Sequence, residues 1–495
     1  MLKPFLKDIA LYAPSKLLPA FTTFITTPIL TRLFPPAEYG YWAIASSISM
    51  FLAALSVDGY GSAVLRFFPA YKEKSALNVF LGTLGVSVGT IIAFVSGLSI
   101  LMIFLFKRFI PSTLYPLLPF VILIFIGQSF STVFLSVIRA QGRSGSFTSF
   151  QLFANYGGLL IGLLMVVFLG LRINGLLLGN VLALFLVLPL LVVSATKEAS
   201  LNLRFFNRTE AIKMWSFAWP LAIGNVAMWG LRVSDLFIIN IFRSEREVGL
   251  YSVSYNLSSR SIELLVALFL LSVSPLIFKT WESEGRESTE KALTMVTRVY
   301  LIFCLPAAVG LVVLAFPFVA LLTTPDYYEG YKIVGFIVFS SFAWGLANIA
   351  MMGLAIKKKA GRLGANQIMA ALVHIVLQLF LVPRFGYFAS AISTLIGYTI
   401  LLILQATASR PYLKWHFPFK TLRHTFISSV FMGLVAWAIY GISAKGSKIL
   451  PFSLILSISV ATLLYFISLW ALGEVKDEEK VAALQFWHKL IHRDS

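Results

Sequence analysis

Apolar runs of twenty or more residues, separated by short polar turns, follow one another from about residue 9 to residue 472. A helix rises about 1.5 Å per residue and needs about 20 apolar residues to cross a hydrocarbon core of about 30 Å. Each run therefore predicts a transmembrane helix. The pattern gives fourteen: 9–30, 41–65, 77–105, 114–138, 147–170, 174–195, 214–242, 248–277, 293–322, 333–356, 363–383, 387–408, 424–443 and 450–472. The runs lack the ten-residue alternation of a membrane barrel. The expected fold is an all-α polytopic membrane protein of about fourteen transmembrane helices.

The turns carry an internal repeat. Setting Gly249 against Gly40 aligns IINIFRSEREVGLYSVSYNL (238–257) with ILTRLFPPAEYGYWAIASSI (29–48), and Pro220 then falls close to Pro14. Further on, IKKKAGRLGAN (356–366) answers IRAQGRSGSF after the fourth span. Six spans lie within one period, and an even number returns the chain to the same side. The two halves should be parallel lobes related by an axis along the membrane normal, with a substrate path between them near mid-bilayer. The boundaries read as residues 1–205 for one six-helix lobe, 206–412 for its pseudo-repeat, 413–472 for two additional helices and 473–495 for a charged cytoplasmic tail. In that tail Val481, Leu484, Trp487 and Ile491 recur at helical spacing, which predicts an amphipathic surface helix.

Composition agrees and narrows the class. The 495 residues are 58% hydrophobic and 12% charged, which excludes an ordinary soluble domain. The net charge of +19 would suit nucleic acid, but most of the basic residues fall in alternate connections, the signature of the positive-inside rule. Both termini are then cytoplasmic, and no nucleic-acid partner is expected. Lys3 and Lys7 precede an apolar run as in a signal peptide, yet Pro14, Lys16 and Pro19 and the lack of a small-residue cleavage site predict a retained first helix. The one cysteine, Cys304, has no partner for an intramolecular disulfide.

Ionisable groups inside the spans are the candidates for function, because a charge near mid-bilayer costs about 2.5–3.5 kcal/mol unless protein or water surrounds it. The stretch from Trp215 to Tyr251 holds Pro220, Asn225, Arg232, Asp235 and Asn240. Arg232 and Asp235 are three apart on one helical face, where they partly neutralise each other, and Arg260 and Glu263 repeat the spacing one helix later. With Lys16, Asp58, and Arg32 and Arg66 at helix ends, the set is five cations and three anions. Two readings follow: salt bridges that tie helices together, or a cationic cavity whose guanidinium forks bind an anionic group such as phosphate. His374, in MAALVHIVLQLF, reads as a packing residue before a proton relay.

Other chemistry is not indicated. There is no Gly-rich phosphate loop ending in Lys and Ser or Thr, and the five histidines form no HExxH pair, so neither ATP hydrolysis nor a metal site is expected. The outer loops are short, the longest polar one being TTPDYYEGYK at 323–332, and none offers the acidic or histidine groups of a membrane glycosyltransferase or ligase. The chain does not read as an enzyme.

The turn LFPPAEYGYWAIAS with VDGYGSAVLRF, the later VIRAQGRSGSF, and WPLAIGNVAMWGLRVSDLFIINIFRSEREVGLYSVSY resemble the polysaccharide-transporter, or Wzx-type, branch of the multidrug/oligosaccharidyl-lipid/polysaccharide exporter superfamily. The resemblance covers nearly the whole chain and includes the two lobes and the extra final pair. It implies a flippase that moves undecaprenyl-diphosphate-linked oligosaccharide repeat units across the bacterial inner membrane by alternating access. Membrane lipids and other polysaccharide-assembly membrane proteins are the implied partners. It implies a cationic lining supplied by Lys16, Arg32, Arg232 and Arg260. Asp58, Asp235 and Glu263 would tune those charges or accept a coupling cation, H+ or Na+, with the membrane potential as a further drive and no cofactor. The same fold would also serve a drug or metabolite antiporter or a lipid II flippase. Two departures stand out: the double proline of PPAEYG, and Arg172 where a small residue is expected.

Overall fold

The structure is a computed structural model that describes residues 22–446 and 450–474. Among them there is no β-strand. The helices are α1 (22–33), α2 (Pro36–Ser56), α3 (Asp58–Glu73), α4 (Leu77–Leu105), α5 (Leu118–Ala140), α6 (Ser144–Leu152), α7 (Gly158–Leu169), α8 (Arg172–Ala195) and α9 (Arg208–Phe242). There follow α10 (Glu245–Val313), α11 (Ala315–Leu322), α12 (Tyr331–Ala350), α13 (Met352–Ile356), α14 (Ala360–Phe385), α15 (Tyr387–Ser409), α16 (Phe419–Gly446) and α17 (Leu450–Ala471).

Among the described residues, eleven helices are long and apolar enough to cross a membrane, or twelve if the bent pair α2 and α3 is one span. The expected fourteen are not reached, for two visible reasons. Much of the first predicted span, 9–30, lies outside the described residues. The span 248–277 and most of 293–322 run together in α10, a 69-residue element whose backbone leaves helical geometry at Gly285 (φ 79°, ψ −161°), and the end of the second forms α11. The span 41–65 is broken by 41° at Val57, so Asp58 opens α3. An acidic residue there faces unpaired N–H groups and the positive end of the helix dipole.

Local chemistry explains the element ends. Pro35 and Pro36 start α2, where a missing N–H costs nothing and φ is already helical. Asn207 caps α9, its side-chain oxygen accepting from Thr209 N and Glu210 N at 3.0 and 3.2 Å. Pro220 stands inside α9 without ending it.

The chain divides into two compact units. The first holds the described residues up to Val253 together with Gly364–Gly397. In it α7 and α8 pack through glycines: a methyl group on Gly179 would overlap the Gly162 backbone, so the helices approach to near contact, as small residues permit in membranes. Arg172, the unexpected residue at the start of α8, takes a left-handed φ of 46° and pairs with Glu38 of α2.

The second unit holds Ser254–Leu363 and the described residues from Tyr398 on. Its core is built on Tyr300, whose hydroxyl donates to the Phe342 carbonyl at 2.9 Å, with Cys304 buried one turn away. The final pair α16 and α17 is bound to α10: Tyr465 donates to Ile302 O at 2.7 Å, and Glu474, at the head of the charged tail, is buried against Arg298 at 2.9 Å. The amphipathic helix expected from Val481 to Ile491 lies outside the described residues.

Candidate functional site

Within the first unit, four helices bring their polar side chains to one buried point. Helix α9 supplies Ser234 and Asp235, α14 supplies His374 and Gln378, α15 supplies Thr394, and the start of α10 supplies Tyr251. His374 and Gln378 are four apart and so share a helical face. Asp235, His374, Gln378 and Thr394 are completely buried. His374 Nε2 lies 3.6 Å from Asp235 Oδ1 and 2.5 Å from Gln378 Nε2. Gln378 donates to Ser234 Oγ at 3.3 Å, and Thr394 donates to Asp235 Oδ1 at 3.5 Å. The Tyr251 hydroxyl meets Thr394 Oγ1 at 3.2 Å.

The remaining polar atoms of this cluster are what give it chemical potential. Asp235 Oδ2 and Gln378 Oε1 are buried without a hydrogen-bond partner, as are the hydroxyls of Ser390 and Ser393 elsewhere on α15. An unsatisfied buried polar group costs about 1–3 kcal/mol, so Asp235 Oδ2 and Gln378 Oε1 single out this cluster as a candidate site. A buried carboxylate with hydroxyl and amide groups near it is suited to accepting a proton. Among the described residues no three His, Cys, Asp or Glu side chains converge as a metal site would require.

The other residues singled out from the sequence are dispersed. Lys16 lies outside the described residues. Arg32 is exposed on α1, with its guanidinium donating to Pro28 O at 2.8 Å. Asp58 is half-buried at the α2–α3 break. Arg232 is exposed while Asp235 is buried, so the two, three residues apart, occupy different environments. In the second unit Arg260 pairs with Glu263 at 3.3 Å, as the spacing predicts. Arg66 stacks over Phe217 at 4.5 Å, joining α3 to α9.

Of the buried cluster, the sequence singled out only Asp235. His374 read as packing, and Gln378, Thr394 and Tyr251 drew no attention. Their one sequence signal is HxxxQ inside an apolar run, followed by the hydroxyl-rich SAIST at 390–394.

A family model described as "Polysaccharide biosynthesis protein" matches residues 29–332, more than half of the chain. The chain belongs to that family. Among curated proteins, the chain is 24% identical over 262 residues to the "Probable flippase AglR" of Haloferax volcanii. That match covers 50% of the chain and 53% of the relative, so it spans about half of the relative's length. Among solved structures, the lipid II flippase MurJ in its inward closed conformation superposes with a TM-score of 0.69 at 17% identity, covering 91% of this chain and 98% of MurJ. An inward-facing multidrug resistance MATE transporter of the MOP superfamily superposes with a TM-score of 0.66 at 12% identity, covering 82% and 97%. The polysaccharide family expected from the turn motifs agrees with the family model, and the fold is shared with MurJ and the MATE transporter. The solved structures show a shared fold, and the long apolar helices agree with a multi-pass membrane protein.

Proposed function

We propose that the protein is a flippase for polyprenyl-diphosphate-linked oligosaccharide repeat units, of the O-antigen, capsule or exopolysaccharide type, carried from the cytoplasmic to the outer leaflet of a bacterial inner membrane. The observation that carries this reading is the polysaccharide-family match over residues 29–332 on a chain whose fold is that of MurJ and MATE transporters. Fold alone does not separate a glycan flippase from a drug antiporter. The family match favours the glycan.

In this reading both termini are cytoplasmic and residues 1–205 and 206–412 act as the two rocking lobes. Lys16, Arg32, Arg232 and Arg260 bind the diphosphate and first sugars, since guanidinium groups suit phosphate oxygens. Asp235, with its buried partners, accepts the coupling cation, and Asp58 and Glu263 tune the neighbouring charges. The membrane potential adds about 2.3 kcal/mol per charge per 100 mV.

Mass spectrometry of polyprenyl-linked intermediates after depletion of the protein tests the reading. A defined lipid-linked repeat unit should accumulate, protected from reagents that modify only the outer leaflet. An unchanged lipid-linked pool, with drug efflux lost instead, would overturn it in favour of an antiporter.

A further inference from the structure

The first unit contains an almost wholly apolar cavity of about 890 Å³. Helices α2, α4, α9 and the start of α5 form its walls, and the lining side chains are almost all aliphatic or aromatic. Phe51 of α2, Phe94 and Leu98 of α4, and Trp215, Trp219 and Trp229 of α9 are its principal surfaces. The aromatic groups are mutually supported: Trp215 and Trp219 stack at 5.7 Å, and Phe51 packs on Trp229 at 4.5 Å. Phe94 and Leu98 remain exposed, so α4 does not close over the groove.

The length of the groove decides what would fill it. Its lining residues on α9 run from Trp215 to Phe237, which at about 1.5 Å per residue is about 33 Å, the full hydrocarbon depth of a bilayer. A phospholipid acyl chain occupies one leaflet, or about half of that depth. A polyprenyl chain is long enough to follow the groove through both. The volume lies in the range of about 300–1,000 Å³ typical of ligand sites, enough for a stretch of such a chain rather than all of it. Broad indole and phenyl faces suit a branched, unsaturated hydrocarbon.

We infer that this groove binds the polyprenyl chain of the lipid-linked substrate and guides it across the bilayer while the glycan passes. The inference rests on the flippase reading for the identity of the lipid. The groove itself is a site for long branched hydrocarbon whatever the headgroup.

The test is photocrosslinking of the full chain in phospholipid vesicles with a polyprenyl diphosphate bearing a diazirine in its isoprenoid portion. Adducts should map to α4 and α9 peptides, fall at least tenfold with excess unlabelled polyprenyl diphosphate, and persist against excess phosphatidylglycerol. Ser99→Trp, which puts an indole into the groove from α4, should reduce them to a similar degree with the unfolding temperature unchanged. Equal competition by phosphatidylglycerol would make this an acyl-chain site, and adducts confined to other helices would remove the groove from the path; either overturns the inference. The competition data decide the matter even if Ser99→Trp fails to fold. Because this is a binding measurement, crosslinking without glycan transport would sink the flippase reading alone, and transport with an unlabelled groove would sink the groove alone.

Discussion

His374 Nε2 lies 3.6 Å from Asp235 Oδ1, and neither side chain reaches solvent. A carboxylate so placed is costly unless a proton or cation joins it. Asp235→Asn keeps the shape and removes the charge. Coupling free energies of about 1–3 kcal/mol imply that the ion-gradient-dependent part of transport falls about 5- to 150-fold in this variant. Uptake into vesicles under imposed H+ and Na+ gradients measures it; a variant that still responds fully to the gradient removes Asp235 from the coupling role.

His374→Ala takes away a partner of Gln378 and a neighbour of Asp235 in a buried interior. Leaving such groups unpaired costs about 1–3 kcal/mol each. Thermal unfolding of the purified protein should show a clear loss of stability, whereas His374→Gln should recover part of it. Equal stability of the wild type and the alanine variant would mean that the contact contributes nothing.

Gly40 and Gly249 are the two residues that the internal alignment sets against each other, and they meet in the structure. A methyl group on Gly40 would overlap the Glu245 carbonyl, and one on Gly249 would overlap the Pro36 carbonyl. Each helix start is thus seated against the backbone of the other. Overpacking of this kind costs about 1–3 kcal/mol, so Gly40→Ala and Gly249→Ala should each lower the unfolding temperature. Gly361→Ala is the control, since nothing lies within 4 Å of its added carbon, and it should be neutral or stabilising.

The turn after α5 and the turn after α13 show how far the sequence could be read. Both close with the same backbone pattern: Gly142 N to Arg139 O and Arg143 N to Ile138 O in one, Lys358 N to Ala355 O and Lys359 N to Leu354 O in the other. These are the paired bonds of a helix end that turns through a left-handed residue. The sequence showed that the turns correspond, through their shared basic and glycine character. It did not show the register, because the left-handed position is Gly142 in one and Lys358 in the other (φ 54°), not the nearby Gly361. Spans and turns were legible because hydropathy and glycine are local signals. The Asp235 cluster was not, since it joins residues up to 159 apart and His374 alone on an apolar helix looks like packing. Glu474 was hidden for the same reason, reading as the first charge of a tail.

A non-glycine residue held in a left-handed conformation costs about 1–2 kcal/mol. Lys358→Gly should therefore raise stability by up to about 1 kcal/mol after the extra chain entropy is counted, and Gly142→Ala should lower it by a similar amount. Opposite shifts in unfolding temperature are the expected result. Shifts of the same sign would mean that Lys358 makes a contact worth more than its strain.

Glu474 gives the fold a dependence on pH. Burial pushes its carboxyl up, but hydrogen bonds from Thr421, Arg298 and His424 outweigh that and hold it below its ordinary value of 4.5. Thr421 donates at 2.6 Å, Arg298 at 2.9 Å, and His424 Nδ1 stands 3.0 Å away. A carboxylate whose folded pKa is depressed contributes stability that is complete above its unfolded pKa and is lost as pH falls through the folded one. Removing one partner of a buried ion pair costs on the order of 3 kcal/mol, so Glu474→Gln should be clearly less stable near neutrality, with Arg298 left without its counter-charge. The gap between wild type and variant should then narrow as pH drops below about 4.5, because the wild-type group becomes neutral as well. Unfolding temperatures measured from pH 7 downward test both halves of the argument: a gap that stays constant to the acid limit would show that Glu474 acts by shape and not by charge, and no gap at pH 7 would show that α17 is held by its apolar face alone.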